Sequence, residues 1–97
     1  MRRTLKQGDR CPMAAVVQAL LRSHGYMPLG HTAMDDEYGT NCATAAQAFQ
    51  RETKQLGIHE LEGLVDDGEI GNLTLSAFRI RWGVDLTSLP DSYWPQA

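Results

Sequence analysis

At 97 residues, with 42% hydrophobic and 22% charged residues and a net charge of −3, the chain has room for one globular domain built on one modest core. The acidic balance speaks against nucleic-acid binding, which calls for a basic surface. No apolar run approaches the length of a membrane span, since the longest, Met13 to Leu21, is broken by Gln18.

Arg2, Arg3, Lys6 and Arg10 gather near the start and read as a solvated basic arm. No apolar segment follows them, so the start does not read as a secretory signal. A chain that stays in the cytoplasm, one exported by another route and a domain of a longer protein all remain open. Leu5 to Asp9 reads as an entry loop, and Pro12 suits the first turn of a helix. The first predicted helix runs from about Met13 to His24, with Met13, Val17, Leu20 and Leu21 on one buried stripe and Gly25 as its stop. Tyr26 to Tyr38 is a loop containing Pro28, Gly30 and the acidic run Asp35-Asp36-Glu37.

A second helix is predicted after Gly39, with Thr40 or Asn41 as N-cap, reaching about Leu56 before Gly57. Its expected inner face is Cys42, Ala45, Ala46, Phe49, Thr53 and Leu56, where the alanines imply close helix packing. Ile58 to Gly63 is an acidic connector with room for one helical turn, and Leu64-Val65 is a short apolar anchor before the turn Asp66-Asp67-Gly68. The third helix follows Gly71 and reaches about Trp82, with Leu73, Ala77, Phe78 and Trp82 inward and Gly83 as cap. The tail carries Leu86, Leu89, Tyr93 and Trp94, more apolar mass than a free tail usually holds.

One segment occurs twice. Asp35-Asp36-Glu37-Tyr38-Gly39 through Ala45 aligns with Asp67-Gly68-Glu69-Ile70-Gly71 through Ala77 at a fixed offset. Each copy reads as a turn, an apolar anchor, a glycine and a helix start. Cys11 and Cys42 both fall near predicted helix starts, which antiparallel packing would place at opposite ends, so they read as two separate thiols.

These pieces, in this order, resemble the peptidoglycan-binding-domain-like family of three-helix modules. The resemblance rests on Leu5-Lys6-Gln7-Gly8-Asp9, Val17-Gln18-Ala19-Leu20-Leu21 with Gly25-Tyr26, Tyr38-Gly39 with Ala45-Ala46 and Phe49-Gln50, and Val65-Asp66-Asp67-Gly68-Glu69-Ile70-Gly71 with Thr74 and Ala77-Phe78. It departs from the family pattern at Val17, Cys42 and Ala46 and in a longer link from Gln50 to Val65. The expected fold is therefore all-α, a small three-helix bundle with short connecting loops over residues 1–83, with the tail 84–97 packed on it.

The resemblance implies non-catalytic attachment to bacterial cell-wall peptidoglycan, through its glycan strand, its stem peptide or both. Such a module acts as an accessory domain of a bacterial or phage cell-wall hydrolase or endolysin, at the wall or in the periplasm. The candidate ligand-binding residues are Tyr26, Tyr38, Gly39 and Gln50. Sugar faces stack on tyrosine rings, and glycines let a ligand approach the backbone. Both tyrosines equally suit a core-anchoring role, and Gln18 and Gln50 suit structural or solvated roles. Failing the tyrosines, the turn from Asp66 to Gly71 is the next candidate. The rival reading is a protein–protein adaptor whose contact is the aromatic tail.

No catalytic residue, metal ligand or cofactor site is expected. Placing Gly68 at the turn position of a calcium loop puts Gly63, Val65 and Thr74 where carboxylate or other side-chain oxygens are needed. His59-Glu60-Leu61-Glu62 lacks the second histidine of a zinc-protease helix. His24, His31 and His59 do not repeat at ligand spacing.

Overall fold

Proline's fixed φ suits the first turn of a helix, and Pro12 occupies that place in the first helix, Pro12–Ser23. The computed structural model describes residues 3–27 and 36–96. It contains three α-helices, α1 (Pro12–Ser23), α2 (Thr40–Gln55) and α3 (Asn72–Trp82), with 3-10 turns at His59–Leu61, Leu86–Ser88 and Asp91–Tyr93. Among the described residues there is no strand, only two isolated antiparallel bridges, Leu5 with Ile70 and Arg10 with Glu37. Arg2, His31, the Pro28–Gly30 stretch and Asp35 of the first repeat copy lie outside the described residues.

The end of α1 is a Schellman cap. Gly25 takes φ +85°, its N–H donates to the Arg22 carbonyl, and the Tyr26 N–H donates to the Leu21 carbonyl at 2.8 Å. At the start of α2 the N-cap is Gly39, with no side-chain cap. Thr40, which with Asn41 was expected as the cap, instead accepts a hydrogen bond from Gln7 Nε2 through its hydroxyl, 2.8 Å away.

The core gathers Leu5, Met13, Ala14, Val17 and Leu21 with Tyr38, Ala46, Phe49, Ile70, Phe78 and Trp94. At its centre Phe49 lies 5.0 Å from Phe78 and 4.6 Å from Trp82 between ring centroids, with Tyr26 edge-on to Phe49 at 5.6 Å. Such pairs add to plain area burial.

The helix registers differ from the sequence reading at two places. Leu56, expected inward, is 55% exposed, because α2 ends at Gln55 and the backbone then turns away through Gly57. In α3 the buried residues are Thr74, Leu75, Ala77 and Phe78, while Leu73 is half-exposed at the rim. That face is wider and rotated because the 59–61 turn and the 86–88 turn both pack on α3.

The tail is part of the fold. Leu86 and Trp94 are buried, the 91–93 turn contacts α1, and Arg3 bonds the Thr87 carbonyl and the Asp91 carboxylate while lying over the Trp94 ring. Cys11 and Cys42 are both buried and are not joined in a disulfide. Among the described residues no helix is long and apolar enough to cross a membrane.

Candidate functional site

The two repeat copies close in the same way. Gln18 of α1 donates from Nε2 to the Glu37 carbonyl at 2.7 Å, and Gln50 of α2 donates from Nε2 to the Glu69 carbonyl at 2.7 Å, each across the same 19-residue separation. Both glutamines are buried. A buried carboxamide without partners would be costly, and here the backbone of the following turn supplies them. The N-terminal segment then ties the copies together. Leu5 exchanges backbone hydrogen bonds with Ile70, and Gly8 and Asp9 pair with Tyr38.

The second turn is held at successive peptide groups. The Gly68 N–H donates to Gln50 Oε1 at 2.8 Å, and the Gly68 carbonyl accepts the Tyr38 hydroxyl at 2.6 Å. The Glu69 N–H donates to Asp67 Oδ1 at 2.9 Å, and Gln50 Nε2 also reaches Thr74 Oγ1 at 2.9 Å. Gly68 itself has φ +79°, and a Cβ there would sit 2.8 Å from the Ala43 carbonyl oxygen. Only glycine fits between this turn and α2.

Burial and a strong hydrogen bond decide the role of Tyr38. Its side chain is fully buried, and burial pushes the phenol far above its ordinary range, with Cys42, Asp67 and Glu69 acting in the same direction. The raised phenol favours the protonated hydroxyl that donates to the Gly68 carbonyl. The ring has no exposed surface, and of the two roles its sequence suits, Tyr38 is placed in the one that supports the turn from within. Gln50 is also fully buried and bonds the same turn.

Tyr26 is half-buried. Its hydroxyl donates to Glu52 Oε1 at 2.8 Å, and Arg81 bonds the same carboxylate and Thr53 Oγ1. Burial and the Glu52 contact raise the Tyr26 phenol. The Tyr26 hydroxyl, then Arg81, hold the exposed Glu52 carboxyl below the usual range. Gly39 remains half-exposed as the cap of α2. The four predicted residues thus do not converge on one surface.

What the second turn does form is an open groove of about 260 Å³, lined by Thr4, the 63–65 stretch, Asp67, Glu69 and residues 71–74. Val65, 58% exposed, and Leu73 give it apolar walls. Asp67 and Glu69 place two exposed carboxylates at its edge, and among the described residues no side chain caps the first turn of α3 beside them. A neighbouring hollow of about 240 Å³, lined in part by Thr53, Lys54, Ile58 and Leu61, shares Gly63 and Leu64 with it.

Asp66 faces elsewhere. It pairs with Arg51 and Lys54 at 3.3 and 3.4 Å, and its own backbone amide, then Lys54, hold its carboxyl below the ordinary range. Among the described residues no three His, Cys, Asp or Glu side chains are gathered as a metal ion would need.

The aromatic tail proposed as an adaptor contact is mostly spent on the core. Trp94 has no exposed surface and Leu86 is buried, so a partner docked there would not touch them.

Fold and site together define a small all-α domain with an open, acidic-edged groove beside a helix start. No protein-family model matches the chain, and no curated protein or solved structure shows significant similarity to it.

Proposed function

We propose that the chain is a non-catalytic peptidoglycan-binding domain of the three-helix type its motifs resemble, and that the groove at the second glycine turn receives the ligand. The observation that carries this reading is the composition of the groove: apolar Val65 and Leu73 beside the carboxylates of Asp67 and Glu69 and the uncapped amides of α3. A wall stem peptide combines small apolar side chains, peptide carbonyls and the amine of a dibasic residue. Apolar walls suit its methyl groups, helix-start amides suit its carbonyls, and the carboxylates suit its ammonium group. Attachment of this kind raises the local concentration of whatever the domain is joined to.

Co-sedimentation with purified insoluble peptidoglycan tests the reading. The wild-type chain is expected in the pellet, with weaker retention in the Asp67→Asn, Glu69→Gln double variant and at high salt, where exposed charge pairs are screened. A chain that stays in the supernatant, or a double variant retained as well as wild type, refutes it.

A further inference from the structure

We infer that Gln50 and Tyr38 are positioning residues for the groove: from inside the core they fix the turn whose outer side chains, Asp67 and Glu69, meet the ligand. The inference rests on the reading of the groove as the binding site and names what sets its shape.

Three consecutive peptide groups lie between Asp67 and Ile70, and each is anchored. The Asp67–Gly68 peptide gives its N–H to Gln50 Oε1. The Gly68–Glu69 peptide gives its carbonyl to the Tyr38 hydroxyl and its N–H to Asp67 Oδ1. The Glu69–Ile70 peptide gives its carbonyl to Gln50 Nε2 and its N–H to the Leu5 carbonyl. One carboxamide thus grips the turn on both sides of Gly68, using its acceptor and its donor at once. Backbone planes held this way fix where the Cα–Cβ bonds of Asp67 and Glu69 point. The carboxylates then need little reordering when a ligand arrives, which preserves affinity.

The chemistry of the grip is specific. A glutamate at position 50 keeps the acceptor for the Gly68 N–H but turns the donor into a second acceptor, facing the Glu69 carbonyl. Phenylalanine at position 38 keeps the buried ring and removes only the hydroxyl. Neither substitution alters a side chain that lines the groove. A loss of binding in these variants therefore has to travel through the turn.

The test combines amide hydrogen exchange at Gly68 and Glu69, thermal unfolding, and sedimentation with purified insoluble peptidoglycan. Tyr38→Phe is expected to melt cooperatively, to exchange the Gly68 and Glu69 amides faster than wild type while α1 amides keep their protection, and to bind the wall roughly tenfold more weakly, the scale of one buried hydrogen bond. Gln50→Glu is expected to show the larger loss, and Gln50→Met tells loss of the grip from charge repulsion. If Gln50→Glu fails to fold, Tyr38→Phe decides alone. Faster exchange at the turn with unchanged wall binding overturns the positioning role, and unchanged exchange overturns the grip itself. A wild-type chain that does not sediment refutes the functional reading and the ligand consequence with it, while the exchange result still decides whether the turn is held from within.

Discussion

Replacing Gly68 by alanine tests the second turn at its tightest point. Two costs combine there. The backbone sits at φ +79°, where an L-residue loses about 1–2 kcal/mol. The new methyl would also meet the Ala43 carbonyl oxygen at 2.8 Å. Both are backbone-fixed, so relief needs α2 or the turn to shift, at about 1–3 kcal/mol for such overpacking. The sum is about 2–5 kcal/mol, out of roughly 5–15 kcal/mol for a domain. With about 4–8 °C lost per kcal/mol at this size, the melting midpoint should fall by roughly 8–40 °C. Gly57→Ala is the control. Its φ of +66° imposes similar backbone strain, but nothing lies within 4 Å of the added atom, so the loss should stay at the backbone share, about 1–2 kcal/mol. Thermal and urea unfolding followed by circular dichroism measure both. Equal losses in the two variants would show that the collision with α2 is absent and that the turn does not lie where it is described.

Phe49→Ala, at the centre of the aromatic cluster, should cost about 3–5 kcal/mol in urea unfolding. Trp94→Ala should cost a similar amount, since the indole has no exposed surface; a neutral result would place the tail outside the core. Lowering the pH should destabilise the fold through Glu52, Asp66 and Asp85, whose carboxyls all lie below the ordinary range when folded. The unfolded chain then binds more protons, so their contribution is full above the ordinary carboxylate range and is lost as pH falls through the depressed folded values, below about pH 4. Urea midpoints measured down that range should fall less steeply in Asp66→Asn than in wild type, and added salt should shrink the difference.

The helices were legible because their punctuation is local. Pro12, Gly25, Gly57 and Gly83 mark ends that depend only on backbone geometry, and the repeated turn announces the starts of α2 and α3. The inner face of α3 was less legible, since what covers it is the 86–88 turn and the 59–61 turn, brought there by tertiary contacts rather than by periodicity. The placement of the candidate site residues was less legible for a related reason. Tyr38 and Gln50 carry the chemistry of ligand contact, yet both face inward, because the turn they hold supplies backbone partners that no local pattern displays. A signal was present. Gln18 and Gln50 stand at the same offset as Glu37 and Glu69, and a polar residue next to Phe49 on a buried stripe asks for a buried partner. The groove itself gave no sequence sign beyond the turn from Asp66 to Gly71, since its walls come from Thr4, the connector and α3 together.

The bridge between Leu5 and Ile70 and the contacts of Arg3 with Thr87 and Asp91 join the beginning of the chain to its end. Small helical proteins ordinarily assemble from neighbours in sequence and do so quickly. Here Leu5 has no place to go until Ile70 has been synthesised, and Arg3 waits longer still. The helices are free to form early, but the ordered second turn arrives only when the first residues return to it. Folding of this domain should therefore be slower than its helix content implies, and the contacts of Arg3 with Thr87 and Asp91 should form last.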